Sequence, residues 1–82
     1  MITGNQIRLA RFGLRLSVQD LSNLTGVSVR TLKRIEASDG VPNTSALTIQ
    51  SLQSTLESAG IEFIGTPDDG PGIRIRTTSL KP

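Results

Sequence analysis

At 82 residues, with a net charge of +2 and neither cysteine nor histidine, the chain is sized for one domain with a small core. It lacks disulfides, thiol nucleophiles, thiolate or imidazole metal ligands and the usual proton shuttle near neutral pH, which argues against an enzyme, and no cofactor is expected. Only two aromatic residues, Phe12 and Phe63, are present, so burial falls to Leu, Ile, Val and Ala, which suits a helical packing unit. No apolar run approaches the roughly 18 residues needed to span a bilayer and no signal-peptide pattern opens the sequence, so the expected location is the cytoplasm. The charge is unevenly placed. Residues 1–35 carry Arg8, Arg11, Arg15, Arg30, Lys33 and Arg34 against Asp20 alone, a net +5, while the remainder is at −3. Attraction for a polyanion is therefore assigned to the first half.

In chain order, Thr3 followed three residues later by Gln6 predicts a capping box opening the first helix, on which Ile7, Ala10 and Leu14 recur at helical spacing. Ser17 caps a second, short helix whose apolar side is Leu21 and Leu24 and which ends near Thr25 and Gly26. Gly26 suits a turn that needs a positive φ, and Ser28 immediately caps a third helix running to about Ala37. The segment "SDGVPN" has turn chemistry, and Asn43, Thr44 or Ser45 can cap a fourth helix with Ile49, Leu52, Leu56 and Ala59 on one face, stopped by Gly60. Beyond Gly60 the period changes to two. "IEFIG" and "GIRIR" flank "TPDDGPG", whose prolines and glycines are expected to form a loop of moderate length between two short strands. In the second strand Ile73 and Ile75 face one way, Arg74 and Arg76 the other. The tail "TTSLKP" carries no pattern and is expected to be mobile. The organisation is thus a helical domain over 1–60, with a helix-turn-helix over about 17–37, a β-hairpin over 61–77 and a tail over 78–82.

Two short helices sharing a tight glycine turn, the second bearing cations near its start, match the helix-turn-helix of DNA-binding proteins. Leu21, Leu24, Val27, Leu32 and Ile35 are expected to hold the pair at a fixed angle, leaving the first turn of the third helix to enter the major groove of B-DNA. Arg30 or Arg34 can each donate two parallel hydrogen bonds to guanine O6 and N7, discriminating against a wrong base by about 1–3 kcal/mol. Val29 can contact a thymine methyl. Ser28 and the N–H groups at helix starts can hold phosphates, and Lys33, pointing toward the flank, would meet another. Thr31 completes the first turn, and Ser17 and Asn43, beside other helix starts, are further contact candidates.

With these residues in place, "RLARFGLRLSVQDLSNLTGVSVRTLKRIEA" resembles the lambda-repressor-like, or XRE-type, helix-turn-helix regulators of bacteria and phages, from about Thr3 to Leu56. Arg11, Leu16, Ser17, Leu21, Gly26, Ser28, Thr31, Leu32, Ile35 and Glu36 fill the positions of the family pattern. Val18 stands where many members have a phosphate-holding glutamine, and Ser22 where alanine is usual. The resemblance implies a mainly α fold of four helices with a short C-terminal hairpin or strand extension. It also implies a structural ion pair between Arg11 and Glu36, which draws Arg11 away from DNA.

The expected function is that of a sequence-specific transcriptional regulator, a repressor, acting on double-stranded DNA in association with the nucleoid. An antitoxin or protein-interaction adaptor of the same fold, with a protein partner, is the alternative. Two uses of the hairpin stay open. Its edge can pair with a second chain, giving a homodimer that reads paired half-sites, or its apolar face can cover the core of its own chain.

Overall fold

The computed structural model describes residues 1–76. The mobility expected of the tail concerns residues outside that range. Four helices, α1 (Gly4–Gly13), α2 (Val18–Thr25), α3 (Val29–Glu36) and α4 (Ala46–Ser58), precede an antiparallel hairpin of β1 (Ile61–Thr66) and β2 (Asp69–Ile75). Among the described residues no helix is long and apolar enough to cross a membrane.

Each helix begins at a hydroxyl. The Thr3 hydroxyl oxygen accepts the Gln6 N–H at 3.0 Å while Gln6 Oε1 accepts the Thr3 N–H at 2.8 Å, closing the capping box. Ser17 does the same with Asp20, Ser28 caps α3, and Ser45 is the residue that caps α4. The α2–α3 turn is made by Gly26 at φ 76°, with its N–H donating to Ser22 O at 2.8 Å. α1 ends differently. Arg15 and Leu16 donate their N–H groups back to Phe12 O and Arg11 O, both at 3.0 Å, which places Arg15 at φ 59°. That reversal normally uses glycine, and in an arginine it stores strain.

Ile7, Ala10, Leu21, Leu32, Ile35, Ile49, Leu52 and Leu56 form the core, closed by Ile2 and Ile61. Leu24 does not join it. At 58% exposure it stands outside the α2–α3 seam, because the inner stripe of α2 runs through Val18, Leu21 and Thr25, and Leu24 falls roughly a quarter-turn away. Val27 packs against the core as expected.

The loop between the strands is shorter than the prolines and glycines suggested. Thr66 pairs directly with Asp69, so Pro67 and Asp68 alone make the turn, and a bulge sets Gly65 of β1 against Gly70 and Pro71 of β2. A Cβ on Gly65, at φ 76°, would stand 2.2 Å from Gly70 O, so this bulge requires glycine. Pro71 is tolerated within β2 because the strand lies at a sheet edge, where a missing N–H costs no ladder bond.

β2 lies over α1 and β1 over α4. Phe63 and Ile73 pack against the core, and Ile75 seats on Gly13, where a Cβ would come within 2.7 Å of its Cδ1. On the opposite face Glu62 pairs with Arg74 at 3.2 Å and with Arg76. The hairpin thus covers the core of its own chain while both outer strand edges lack a neighbouring strand among the described residues.

Candidate nucleic-acid interface

α3 separates its side chains sharply by helical position. Leu32, Ile35 and Glu36 are buried, Val29 and Thr31 half-buried, and Arg30, Lys33 and Arg34 exposed. Ser28, at the start, is exposed. Its hydroxyl oxygen accepts the Thr31 N–H at 3.2 Å and its proton goes to Thr31 Oγ1 at 3.0 Å, so it fixes the helix start. With the Thr31 N–H capped, the Val29 and Arg30 N–H groups of the first turn have no acceptor within the helix, a donor pair suited to an anion's oxygens.

What holds α3 in this attitude is a buried charge pair. Arg11 donates through Nε to Glu36 Oε1 and Oε2 at 3.1 and 2.9 Å and through Nη2 to Oε1 at 2.8 Å, while Nη1 donates to Leu16 O at 3.0 Å. Hydrogen bonding to Glu36 raises the Arg11 pKa, burial opposes it, and the direct attraction of the carboxylate adds to the rise. One guanidinium therefore ties the end of α3, the body of α1 and the α1–α2 turn together, with Phe12 beneath it at 4.6 Å. Arg8 adds a bond from Nη1 to Glu36 O at 2.8 Å and one from Nη2 to Asn5 Oδ1. Its contact with Asp39 is long, 3.9 Å, and exposed.

The six cations of the first 35 residues thus divide into two sets. Arg8 and Arg11 bond within the chain, whereas Arg15, Arg30, Lys33 and Arg34 form no ion pair among the described residues. Arg34 also lines an open cleft of about 300 Å³ with Ile35, Ser38, Pro42 and Asn43. The fold therefore brings together two residues that lie nine positions apart in sequence, Arg34 on α3 and Asn43 on the loop before α4.

Ser17 is placed less favourably for a phosphate. Its hydroxyl oxygen accepts the Asp20 N–H and its own N–H donates to Asp20 Oδ2, both at 2.9 Å. These contacts, the Ser17 backbone N–H first and its side chain second, hold the Asp20 carboxyl below its ordinary pKa. An anion at the start of α2 would meet a carboxylate already seated there, which leaves only the hydroxyl proton of Ser17 for an outside acceptor. Val18 is half-buried.

One residue that organises the site is larger in role than its sequence signal. Besides capping α1, Gln6 donates from Nε2 to Ile64 O at 3.0 Å and Gly72 O at 2.8 Å, fastening the hairpin to the helix. A buried glutamine with only its oxygen engaged in a cap still has two N–H donors to satisfy, and that is the signal that could have found it. Among the described residues no group of three or more His, Cys, Asp or Glu is arranged to hold a metal. No protein-family model matches the chain, and no curated protein matches it in sequence.

Proposed function

We propose that this protein is a sequence-specific DNA-binding regulator, a repressor, with a lambda-repressor-like arrangement of helices, acting by binding rather than by catalysis. The observation that carries the reading is the division of α3: one side locked into the core through Leu32, Ile35 and the Arg11–Glu36 pair, the other offering Arg30, Lys33 and Arg34 to solvent with no ion-pair partner among the described residues. A helix so presented fits the major groove of B-DNA. Arg30 and Arg34 reach guanine edges, Val29 a thymine methyl, Lys33 a phosphate, and the Arg34–Asn43 cleft receives the backbone beside the groove.

Selection of bound sequences from a random duplex pool tests this directly, and an enriched motif is expected. Affinity should fall steeply with salt as counterions are released. Arg30→Ala and Arg34→Ala should each relax the preference for a base by about 1–3 kcal/mol, whereas Lys33→Ala should weaken all sequences alike and lower the salt slope by about 1. A pool that yields no motif, or arginine variants with wild-type selectivity, would overturn the assignment of α3.

A further inference from the structure

The α1–α2 turn carries a cation that the chain does not use. Arg15 stands between the end of α1 and Ser17 at φ 59°, a conformation in which glycine or asparagine fits with little strain. It is exposed, and its guanidinium takes part in no hydrogen bond or ion pair among the described residues. The bonds that close the turn, Arg15 N–H to Phe12 O and Leu16 N–H to Arg11 O, belong to the backbone, so a glycine would keep both. Strained positions of this kind concentrate where a side chain serves a ligand.

The turn lies along one flank of α3. Arg11 donates both to Leu16 O, one residue beyond Arg15, and to the Glu36 carboxylate, so Glu36 marks the flank of α3 that faces the turn. At about 100° per residue, Lys33 falls roughly 60° from Glu36 and Arg34 roughly 160°. Lys33 thus shares its flank with the turn, while Arg34 opens on the other, toward Ser38, Pro42 and Asn43. A helix about 10–12 Å across, lying in a groove about 12 Å wide, turns its two flanks to the two backbones. The start of α2 supplies no cation on the Lys33 side. Val18 is apolar, Gln19 donates to Asn23 Oδ1, and Asp20 adds a negative charge held by Ser17. A phosphate brought there needs its charge met by Arg15.

Resting on the use of α3 in DNA binding, we propose that Arg15 is a backbone-binding residue. With Lys33 it clamps the phosphates of one strand, opposite the strand received by the Arg34–Asn43 cleft, and so sets the depth and register of α3 in the groove without reading bases. The left-handed arginine gives up stability for affinity.

Fluorescence anisotropy tests this with the full chain, its selected duplex and a mixed-sequence duplex of equal length, across a salt series. Arg15→Gly and Arg15→Asn, both tolerant of positive φ, should unfold at or above the wild-type temperature. Both should nevertheless bind each duplex about five- to tenfold more weakly at 0.1 M salt, with the salt slope lower by about 1 and base preference unchanged. Arg15→Lys should keep most of the affinity and the full slope. Replacing phosphates one at a time by uncharged methylphosphonates locates the contact. Within one copy of the motif, one replacement should weaken wild type and leave Arg15→Gly unaffected, on the strand where Lys33→Ala has its own such position; that of Asn43→Ala should lie on the other strand. Arg15→Gly with wild-type affinity and slope, or an Arg15 position on the strand of Asn43, would overturn the proposal. A loss in Arg15→Gly that Arg15→Asn does not share would trace to a loosened turn and overturn it too. If Arg30→Ala and Arg34→Ala lose selectivity while Arg15→Gly changes nothing, Arg15 is removed and α3 stands; a wild type that binds neither duplex removes both.

Discussion

Arg11 and Arg34 are both arginines on short amphipathic helices, and they have opposite circumstances. Arg11 is buried, with all three guanidinium nitrogens bonded to Glu36 or Leu16 O. Arg34 is exposed, at the rim of a cleft it shares with Asn43, and carries no ion pair among the described residues. The contrast extends to their surroundings: no buried side-chain nitrogen or oxygen among the described residues lacks a hydrogen-bond partner, whereas the outer side of α3 offers three cations with no ion pair among the described residues. Cationic charge near the start of a sequence thus says little about what it serves. Burial and the presence of a carboxylate within reach decide whether it orients the chain or remains for a ligand.

Removing the carboxylate should break the contrast most severely. Glu36→Ala leaves the Arg11 guanidinium buried without its counter-charge, and an unfolding free energy lower by about 3 kcal/mol or more is expected in urea titrations. That is a large share of the stability of a domain this small. Arg30→Ala should stay within about 0.5 kcal/mol of wild type. A Glu36→Ala cost as small as that of Arg30→Ala would mean the buried pair and the free cations do not differ in kind.

A smaller effect is expected at Gln6. Gln6→Ala deprives the Thr3 N–H of its acceptor and removes the donor that joins Ile64 O and Gly72 O to α1, for a loss of about 1–2 kcal/mol. Hydrogen exchange sharpens the test, because hairpin amides should lose more protection than those of α2 and α3. Equal loss everywhere would show that Gln6 acts only as a cap.

Arg15 offers a gain instead. Arg15→Gly relieves a left-handed residue and should raise stability by up to about 1 kcal/mol, less the entropy that glycine adds to the unfolded chain. Thermal unfolding would register a decrease if Arg15 had a stabilising contact that outweighs its φ.

The least effect should come from Asp20, and it depends on pH. Its folded pKa lies below the unfolded value, so the unfolded chain binds the proton more readily. The stabilisation is present in full above the ordinary carboxylate range and is lost as pH falls through the folded pKa. The difference in urea midpoint between wild type and Asp20→Asn should accordingly narrow on acidification. A constant gap would remove the carboxylate of the cap as its cause.

What could be read without a structure was local. Thr3 and Gln6, Ser17, Ser28 and the glycines at 26 and 60 marked the helix ends because caps and positive-φ turns depend on residues three or four positions apart, and the spacing of Ile49, Leu52 and Leu56 marked a buried face for the same reason. Other features depended on neighbours distant in sequence. The outward place of Leu24, the paired course of Asp69 to Pro71 where a loop was expected, the reach of Gln6 to two hairpin carbonyls and the meeting of Arg34 with Asn43 all follow from how elements pack. Sequence alone determined where the chain turns and which residues carry charge. Only the tertiary structure decided which charges are neutralised within the chain and which face water, because an ion pair between α1 and the end of α3 exists only once a core has brought those two elements together.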